Sequence, residues 1–296
     1  NKLIGVFEKL NNKAIKNWSI LMMKKINEKS IVNKCQVFTP QNYVKELLDS
    51  VGYCQDIVNK TILENSFGDG NILVEIVKRY IKEAKKLEYS DEKIKKGLEK
   101  DVYGFEIDEK QFKKCIHKLN LITEKIGLQN VKWKIYNEDY LKSEVNIQFD
   151  FIVGNPPYIT YSDLSLEERT FIRSKYGTCQ QGKFDYCYAF IEHSIKSLSN
   201  KGRMSYLIPS SIFKTVFGDK LREFMNPFII EIKDYTKEQI FDNALVKSAI
   251  VIIDKNYNRE KIRYLDMSNN RELWICKTKM QKKWIFSNEL NVYSTI

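Results

Sequence analysis

The sequence FDFIVGNPPY, residues 149–158, combines a short apolar run with a rigid polar turn. Its first part, Phe149 to Gly154, is rich in the β-branched and aromatic residues that favour strands. Pro156 and Pro157 then remove two backbone donors and fix two φ angles, so the chain cannot continue a strand's hydrogen bonding. The stretch therefore predicts a buried strand that ends in a loop of fixed shape.

Similar β-rich runs recur on both sides of this stretch and alternate with longer helical patterns. Strand followed by helix, repeated along the chain, indicates βαβ units. We therefore predict an α/β fold with a doubly wound, mostly parallel, seven-stranded Rossmann-like sheet and an N-terminal helical extension. The predicted strands are Thr61–Leu63, Val102–Phe105, Val131–Tyr136, Phe149–Gly154, Arg203–Ile208, Ile229–Tyr235 and Lys247–Asp254. The predicted helices are Gln41–Val51, Asn71–Lys86, an inserted charged helix within Lys82–Lys100, Glu109–Ile126, Phe184–Leu198 and Ser210–Met225.

The composition is that of a globular protein. Of the 296 residues, 43% are hydrophobic and 29% are charged, which argues against a disordered chain, a collagen-like repeat or a coiled-coil rod. No apolar run approaches the roughly 18 residues that span a bilayer, and no signal peptide is apparent, so we expect a cytoplasmic protein without a membrane partner. The first residue is Asn1 instead of Met, which suggests a fragment of a longer chain.

The charge balance favours an anionic partner. The 49 lysines and arginines exceed the 38 acidic residues, which gives a formal net charge of +11. We rank nucleic acid ahead of a membrane surface as the source of the anionic charge. The six cysteines form no CxxC pair and share no metal-ligand spacing with the two histidines, so we predict reduced thiols and no metal site.

The sequence ENSFGDG, residues 64–70, follows the first predicted strand. Gly68 and Gly70 let the backbone approach a ligand closely where the next helix begins, and Glu64 supplies acceptor oxygens. Leu73 occupies the third glycine position of the dinucleotide fingerprint, so a cationic or zwitterionic ligand fits better than a pyrophosphate. A simple tight turn is the alternative interpretation.

Two further strand ends carry polar groups. Glu106 follows the second predicted strand, where sheets of this class hold the hydroxyls of a ribose. Helix capping, to which the neighbouring Asp108 is better suited, is the alternative role. After the strand quoted first, the Asn155 side chain and the Pro156 carbonyl remain as rigid acceptors beside Tyr158. That arrangement suits a planar substrate with an NH2 group, and a proline-rich turn with a surface tyrosine is the alternative.

These motifs, taken in order, resemble those of the S-adenosylmethionine-dependent amino-methyltransferases. The upstream sequence QVFTP, residues 36–40, is similar to the "YTP" element that the gamma class of adenine-N6 DNA methyltransferases carries before its glycine loop. The resemblance extends from about Cys35 to Asp254. It includes the later segments Lys183–Phe190, Leu207–Ser211 and Ile240–Ala249.

The resemblance implies a role for each motif residue. The residues expected around the methionine end of S-adenosylmethionine are Phe38, Thr39, Pro40, Glu64, Ser66, Gly68 and Gly70. Those expected around its nucleoside end are Glu106 at the ribose, Ile107 and Tyr140 on the adenine faces, Asp139 at the adenine amino group and Phe184 closing the pocket. Tyr158 and Phe241 would stack on the two faces of a flipped target adenine, whose amine hydrogens Asn155 and Pro156 would accept.

The implied activity is methyl transfer from S-adenosylmethionine to the exocyclic N6 of adenine in double-stranded DNA, as the modification part of a restriction-modification system. Little chain follows Asp254, so we expect a target-recognition domain in a missing C-terminal segment or a separate subunit. We divide the chain into a helical extension, residues 1–34, and a methyltransferase catalytic domain, residues 35–258. Residues 259–296 are expected to form a tail or the start of a truncated recognition region.

Three alternatives remain open at this point. Methyltransferases with the same tetrapeptide act on RNA adenine or on a protein glutamine amide, and a non-catalytic subunit of a DNA-binding complex could retain the fold.

In the C-terminal segment, Trp274 and Trp284 are interleaved with basic residues. They would either contact DNA or close a small core.

Overall fold

The computed structural model describes residues 39–241, 246–280, 283–284 and 286. The predicted N-terminal extension, residues 1–34, and Phe38 of the predicted cofactor site lie outside the described residues. The strands are β1 (Ile62–Glu64), β2 (Val102–Phe105), β3 (Lys134–Tyr136), β4 (Phe149–Gly154), β5 (Leu198–Pro209), β6 (Ile229–Asp234), β7 (Ser248–Asp254), β8 (Lys261–Asp266) and β9 (Arg271–Cys276). The helices are α1 (Gln41–Ser50), α2 (Asn71–Lys86), α3 (Asp91–Asp101), α4 (Glu109–Glu124), α5 (Leu166–Lys175), α6 (Tyr186–Ser197) and α7 (Asp219–Met225).

The strands of the described ranges form one sheet in the order β3-β2-β1-β4-β5-β7-β6-β8-β9. The five strands from β3 to β5 run parallel, whereas β7 is antiparallel to both of its neighbours. The chain reverses its direction of travel across the sheet between β1 and β4, which is where doubly wound sheets bind ligands. The predicted doubly wound α/β fold is confirmed.

The sheet is wider than the predicted seven strands, because β8 and β9 extend it at one edge. β8 pairs in parallel with β6 and β9 pairs antiparallel with β8. Within this pair Ile262 lies opposite Ile275, and their exposed fractions are 0% and 4%. Charged residues at Lys261 and Arg263 in β8 and at Arg271 and Glu272 in β9 weaken the apolar signal, while buried residues alternating with more exposed ones leave one buried face.

Helices cover both faces of the sheet. Phe151 and Val153 of β4 pack in the cluster that contains the buried sides of α1 to α4. Ile152, which lies between them, packs in the cluster that contains α6 and α7, as does Phe149, which is separated from Phe151 by a register irregularity. The alternation places successive side chains in opposite cores, so a strand buried on both faces is apolar at nearly every position.

Two helical segments differ from the prediction. Helix α5 was not predicted, although Ser165 and Glu168 form a capping box at its start. The helix predicted over Ser210–Met225 begins only at Asp219, after two short 3-10 turns. Nη1 of the buried Arg222 donates to the Ile212 carbonyl at 2.6 Å, which gives a carbonyl of this non-α-helical segment a side-chain partner.

The two C-terminal tryptophans have different surroundings. Trp284 is 3% exposed, its ring stacks on Phe213 with centroids 6.0 Å apart, and its backbone N–H donates to the Phe213 carbonyl at 2.7 Å. Trp284 is therefore a core residue, as one of the two interpretations held. Trp274 on β9 is 42% exposed.

None of the helices within the described ranges is long and apolar enough to cross a bilayer.

The added strand pair is expected to be part of the stability of the whole sheet. Replacing the buried Ile262 of β8 by alanine, I262A, should lower the free energy of unfolding by about 2–4 kcal/mol, because it leaves a cavity against β6 and β9. Urea denaturation followed by circular dichroism measures this. The matched control is L121A at the 43% exposed Leu121 of α4, which should change the free energy of unfolding by less than about 0.5 kcal/mol. A cost for I262A as small as that of the control would show that β8 adds nothing to the fold.

Candidate active site

Parallel pairing brings the loops after β1, β2 and β4 to one edge of the sheet. In the strand register Glu64 lies beside Gly104 on one side and Val153 on the other. The loop that begins at Glu64 therefore lies between the one that contains Glu106 and the one that begins at Asn155. The three motifs singled out in the sequence meet at this edge.

The loop of residues 64–70 turns sharply into helix α2. Gly68 and Gly70 have φ values of +51° and +81°, and Gly70 is the residue before the helix. These left-handed conformations are strained for residues with a Cβ, and a Cβ at Gly70 would also collide with Sγ of Cys115. Lys118 of α4 fixes the loop from outside, since its Nζ donates to the Asp69 carbonyl at 2.8 Å. The loop backbone is therefore open toward the sheet edge and packed on its other side.

Glu106 holds the glycine loop against the end of β2. Its Oε2 accepts from the Gly68 N–H at 2.8 Å, and its Oε1 accepts from the Asp108 N–H at 2.8 Å. Burial raises the pKa of this carboxyl, which the two backbone N–H groups partly oppose. The remaining lone pairs of the two oxygens suit a pair of ribose hydroxyls. Asp108 caps α4 through its own side chain, so Glu106 is not the helix cap.

Glu64 is a buried carboxyl at the base of the site. Glu64 is 2% exposed, and its Oε2 has no hydrogen-bond partner among the described residues. Burial raises its pKa well above the ordinary value, and the charges of Asp69 and Glu106 raise it further. A buried acceptor with two more acidic groups nearby favours a cationic group as its ligand.

The loop after β4 is joined to two other segments by hydrogen bonds. Ser66 Oγ donates to the Asn155 carbonyl at 3.2 Å. The Asn155 Nδ2 donates to Thr39 Oγ1 at 3.3 Å, and Thr39 is 7% exposed. The amide therefore donates with its nitrogen toward Thr39, which assigns Oδ1 as its acceptor end. Pro156 is buried, and Pro40 is the residue that precedes α1.

Tyr158 and Phe241 are brought together across the sheet edge. The Tyr158 hydroxyl donates to the Leu207 carbonyl at 3.1 Å, which fixes its ring. The two ring centroids are 6.4 Å apart, and their planes meet at 69°. Stacked aromatic layers are spaced by about 3.4 Å, so a base between two parallel rings would need them about 7 Å apart. The separation is close to that value, but one ring would have to turn, and the predicted double stacking stays a prediction.

The residues predicted around the cofactor adenine differ in exposure. Ile107 is 53% exposed, whereas Tyr140 is 3% exposed and Phe184 is fully buried. The Tyr140 ring packs between Phe105 and Phe190, with centroids 5.4 and 5.7 Å away. These two buried rings support the site from the core side, and their direct contact with a ligand stays a prediction.

Asp139 lies beside them and caps a 3-10 turn. Its Oδ1 accepts from the Leu141 N–H at 3.0 Å. Burial raises the pKa of this carboxyl, while the Leu141 N–H and the charge of Lys142 oppose the shift. Its Oδ2 faces Lys142 at 3.7 Å, so an adenine amino group would compete with a half-exposed lysine for this oxygen.

A buried polar cluster below the glycine loop was missed in the sequence. Asn65 Nδ2 donates to Ser194 Oγ at 2.9 Å and to the Tyr206 hydroxyl. Ser194 and Tyr206 also share a hydrogen bond of 2.6 Å. Asn65 and Ser194 are 129 positions apart in the chain, so no local sequence signal could have suggested the cluster. The cluster ties the loop to β5 and α6.

Comparison with known proteins agrees with this geometry. A family model described as Eco57I restriction-modification methylase matches residues 66–241, more than half of the chain. The chain belongs to this family. S-adenosylmethionine is its cofactor, and the buried acceptor Glu64, the ribose-type acceptors of Glu106 and the left-handed glycine loop fit that molecule.

Individual relatives of this methylase are longer. The chain is 29% identical over 243 residues to the type II methyltransferase M.BstVI of Geobacillus stearothermophilus, covering 77% of this chain and 43% of that protein. It is 25% identical over 314 residues to the type II restriction enzyme and methyltransferase RM.Eco57I of Escherichia coli, covering 87% of this chain and 31% of that protein. This methylase chain therefore spans less than half the length of these two curated relatives.

Solved structures share the fold. A nuclease-deletion mutant of the type ISP restriction-modification enzyme LlaGI, in complex with a DNA substrate mimic, matches with a TM-score of 0.66 at 16% identity over 86% of this chain and 27% of that chain. The type I restriction-modification methyltransferase subunit of Streptococcus thermophilus matches with a TM-score of 0.58 at 19% identity, over 88% of this chain and 53% of that chain. At these identities the likeness concerns the fold alone.

The buried Glu64 makes the stability of the ligand-free methylase depend on pH. Because its pKa is raised in the folded state, the folded protein binds more protons than the unfolded one, and the free energy of unfolding falls as pH rises above the ordinary value of 4.5. Glu64→Gln removes this term, so the stability of the variant relative to wild type should increase between pH 5 and pH 8. Urea denaturation across that range measures the difference.

Glu92→Gln is the control for this experiment. Glu92 has its pKa lowered by the hydrogen bond and charge of Lys96, so its contribution to stability has the opposite sign of pH dependence. A stability difference between Glu64→Gln and wild type that is flat or falls with pH would contradict the assignment of a raised pKa to Glu64.

Proposed function

We propose that this chain is the catalytic part of an enzyme that transfers a methyl group from S-adenosylmethionine to the exocyclic N6 of a flipped-out adenine in double-stranded DNA. In this proposal it serves as the modification part of a restriction-modification system, in the cytoplasm. The observation that carries the proposal is the hydrogen bond of 3.2 Å from Ser66 Oγ to the Asn155 carbonyl. It joins the glycine loop, where the cofactor would bind, to the loop that would receive the base.

On the cofactor side, the acidic groups of the glycine loop edge would bind the cofactor's cationic end and its ribose. Glu64 would accept from the ammonium group or face the sulfonium, because its Oε2 is buried and has no hydrogen-bond partner among the described residues. Glu106 would accept from the two ribose hydroxyls through the lone pairs that Gly68 and Asp108 leave. Thr39 and Pro40 would close the methionine end. The cofactor supplies a methyl group already activated on a sulfonium.

On the substrate side, Asn155 and Pro156 would change the shape of the amine. The lone pair of an adenine amine is delocalised into the ring, so the amine is a poor nucleophile. When Asn155 Oδ1 and the Pro156 carbonyl accept its two hydrogens, the nitrogen becomes more tetrahedral and its lone pair turns out of the ring plane. The two prolines hold these acceptors in place before the substrate arrives, so little reorganisation is needed.

A base inside a duplex cannot reach this loop, so the target must leave the stack. Tyr158 supports that step, since its ring is held by the bond to the Leu207 carbonyl and faces Phe241 at 6.4 Å. Aromatic rings on both sides would bind a flipped base by stacking. The formal charge of +11 would attract the phosphate backbone around it.

Sequence recognition is proposed to come from outside the chain described here. We propose residues 35–258 as the catalytic domain and a further segment or separate subunit as the target-recognition part. The curated relatives support this division, since M.BstVI and RM.Eco57I are matched over only 43% and 31% of their lengths. Strands β8 and β9 fall after this domain, in residues 259–296, and extend its sheet through the pairing of β8 with β6.

The proposal is tested by supplying labelled S-adenosylmethionine with duplex DNA, duplex RNA or protein, followed by digestion and mass spectrometry of the products. N6-methyladenine from DNA is the expected product. Label found as N4-methylcytosine would overturn the choice of base, and label found only in RNA or in glutamine would overturn the choice of substrate. No transfer to any of these when the target-recognition part is also present, despite cofactor binding, would indicate a non-catalytic subunit.

Two variants separate the two halves of the site. Asn155→Ala should lower the rate of methyl transfer by about 10²- to 10³-fold, because it removes a group that acts on the reacting amine. The cofactor Kd from calorimetry should change by less than about threefold, since one neutral hydrogen bond is worth little. Glu106→Ala should instead raise the cofactor Kd by about 10- to 100-fold, the value of a charge-assisted hydrogen bond. Equal losses of binding and rate in both variants would contradict the division of roles.

A further inference from the structure

Two arginines stack on one tyrosine directly after the loop that holds the substrate acceptors. Arg169 and Arg173 lie one turn apart on α5, and their Cζ atoms are 4.3 and 5.3 Å from the centroid of the Tyr161 ring. Residues four apart lie on the same face of a helix, so the two guanidinium groups are neighbours. The stacking holds both cations over a single ring.

The hydrogen-bond partners of the pair are neutral. Arg173 Nη2 donates to the Tyr161 hydroxyl at 3.0 Å and to the Gly182 carbonyl at 2.9 Å. Arg169 Nη2 donates to the Ser162 carbonyl at 3.1 Å. Among the ion pairs within the described ranges, neither arginine takes part, although Arg79, Arg203, Arg222 and Arg263 all do.

Two acidic side chains close in sequence accept hydrogen bonds from groups other than the arginines. Glu168 Oε2 accepts from the Ser165 N–H at 2.7 Å in the capping box, and Asp163 Oδ2 accepts from Thr160 Oγ1 at 2.6 Å. Two like charges one helical turn apart repel each other. An anion bound between them would remove the repulsion, and the planar donor groups of arginine match the oxygens of a phosphate.

The arginine pair lies close enough to the site to contact the DNA strand whose target base would be bound there. Tyr161 is three residues from Tyr158, so their Cα atoms are at most about 11 Å apart. The intervening chain is fixed, because the Ile159 carbonyl accepts from the Tyr186 N–H at 2.9 Å and the Tyr161 ring meets Phe184 edge to face at 5.3 Å. Successive nucleotides of a strand rise by about 3.4 Å, so a phosphate a few nucleotides from the target base can reach this distance.

We propose that Arg169 and Arg173, held on Tyr161, bind a backbone phosphate of the DNA strand that carries the target base. The inference rests on the proposed function and deepens it, since it assigns a substrate contact outside the cofactor and acceptor loops. The arginine pair fixes the position of the strand and carries no sequence information.

The test is fluorescence anisotropy of a labelled 20-base-pair duplex with the 296-residue chain, between 50 and 200 mM KCl. The variants are Arg169→Gln, Arg173→Gln and the double variant. Each lost phosphate contact should raise Kd by about 5- to 10-fold near 100 mM salt and reduce the slope of log K against log salt by about 0.9. The double variant should reduce the slope by about twice as much as a single one if each arginine makes its own contact.

Arg259→Gln is the matched control. Arg259 is exposed in the turn after β7, which runs antiparallel to β5 and so ends at the opposite edge of the sheet. It should leave the slope within about 0.3 of wild type, because no bound phosphate is expected there.

Thermal unfolding checks that each variant is folded. Arg169→Gln is the safer variant, since Arg169 makes a single exposed hydrogen bond to Ser162. Arg169→Lys should recover most of the slope.

The outcomes separate this inference from the proposed function. If wild type methylates DNA while the folded Arg169→Gln and Arg173→Gln proteins keep the wild-type Kd and slope, the arginine contact is wrong and the function stands. A loss of DNA affinity in these two variants that is no larger than the loss in Arg259→Gln would also show that the arginine contact is wrong and that the function stands. If wild type neither binds nor methylates duplex DNA but binds duplex RNA, both proposals are overturned.

Discussion

The site depends on one short connection, the hydrogen bond from Ser66 to the main chain of Asn155. It exists because β1 lies between β2 and β4 in a parallel sheet, so that the loops after these strands begin side by side. The same register places Glu106 against Gly68. A backbone framework therefore sets the distance between the proposed cofactor site and the proposed acceptor loop before either ligand binds, which is how positioning would lower a barrier.

Charge is divided between the site and the surface. The chain carries a formal charge of +11, yet the loop edge holds Glu64, Asp69 and Glu106 close together. Burial and mutual repulsion raise the pKa of Glu64, which destabilises the ligand-free fold at neutral pH. A cationic cofactor would relieve that cost, so the same acidic groups that weaken the free protein would strengthen the complex. The positive charge elsewhere suits a polyanionic substrate.

The sequence was sufficient for the parts of the fold that repeat a simple pattern. The bounds of β2, β4 and α2 agree with the prediction, because apolar runs and helical periodicity are local signals. Strands β8 and β9 were missed, since charged residues such as Arg263 and Glu272 interrupt their apolar runs and only the pairing of β8 with β6 places them in the sheet. The motif loops were predicted, but not their contacts. Bonds such as Asn155 to Thr39, or Asn65 to Tyr206, join residues more than a hundred positions apart and require the topology first.

The most direct measurement is a crystal structure with sinefungin, an analogue that carries an amine in place of the transferable methyl group. The ribose hydroxyls should lie on the Glu106 carboxylate, the amino-acid end against the loop of residues 64–70, and the amine should face Asn155 and Pro156. Density for the analogue at another edge of the sheet, or with its amine directed away from Asn155, would contradict the central claim that this loop pair aligns methyl donor and acceptor.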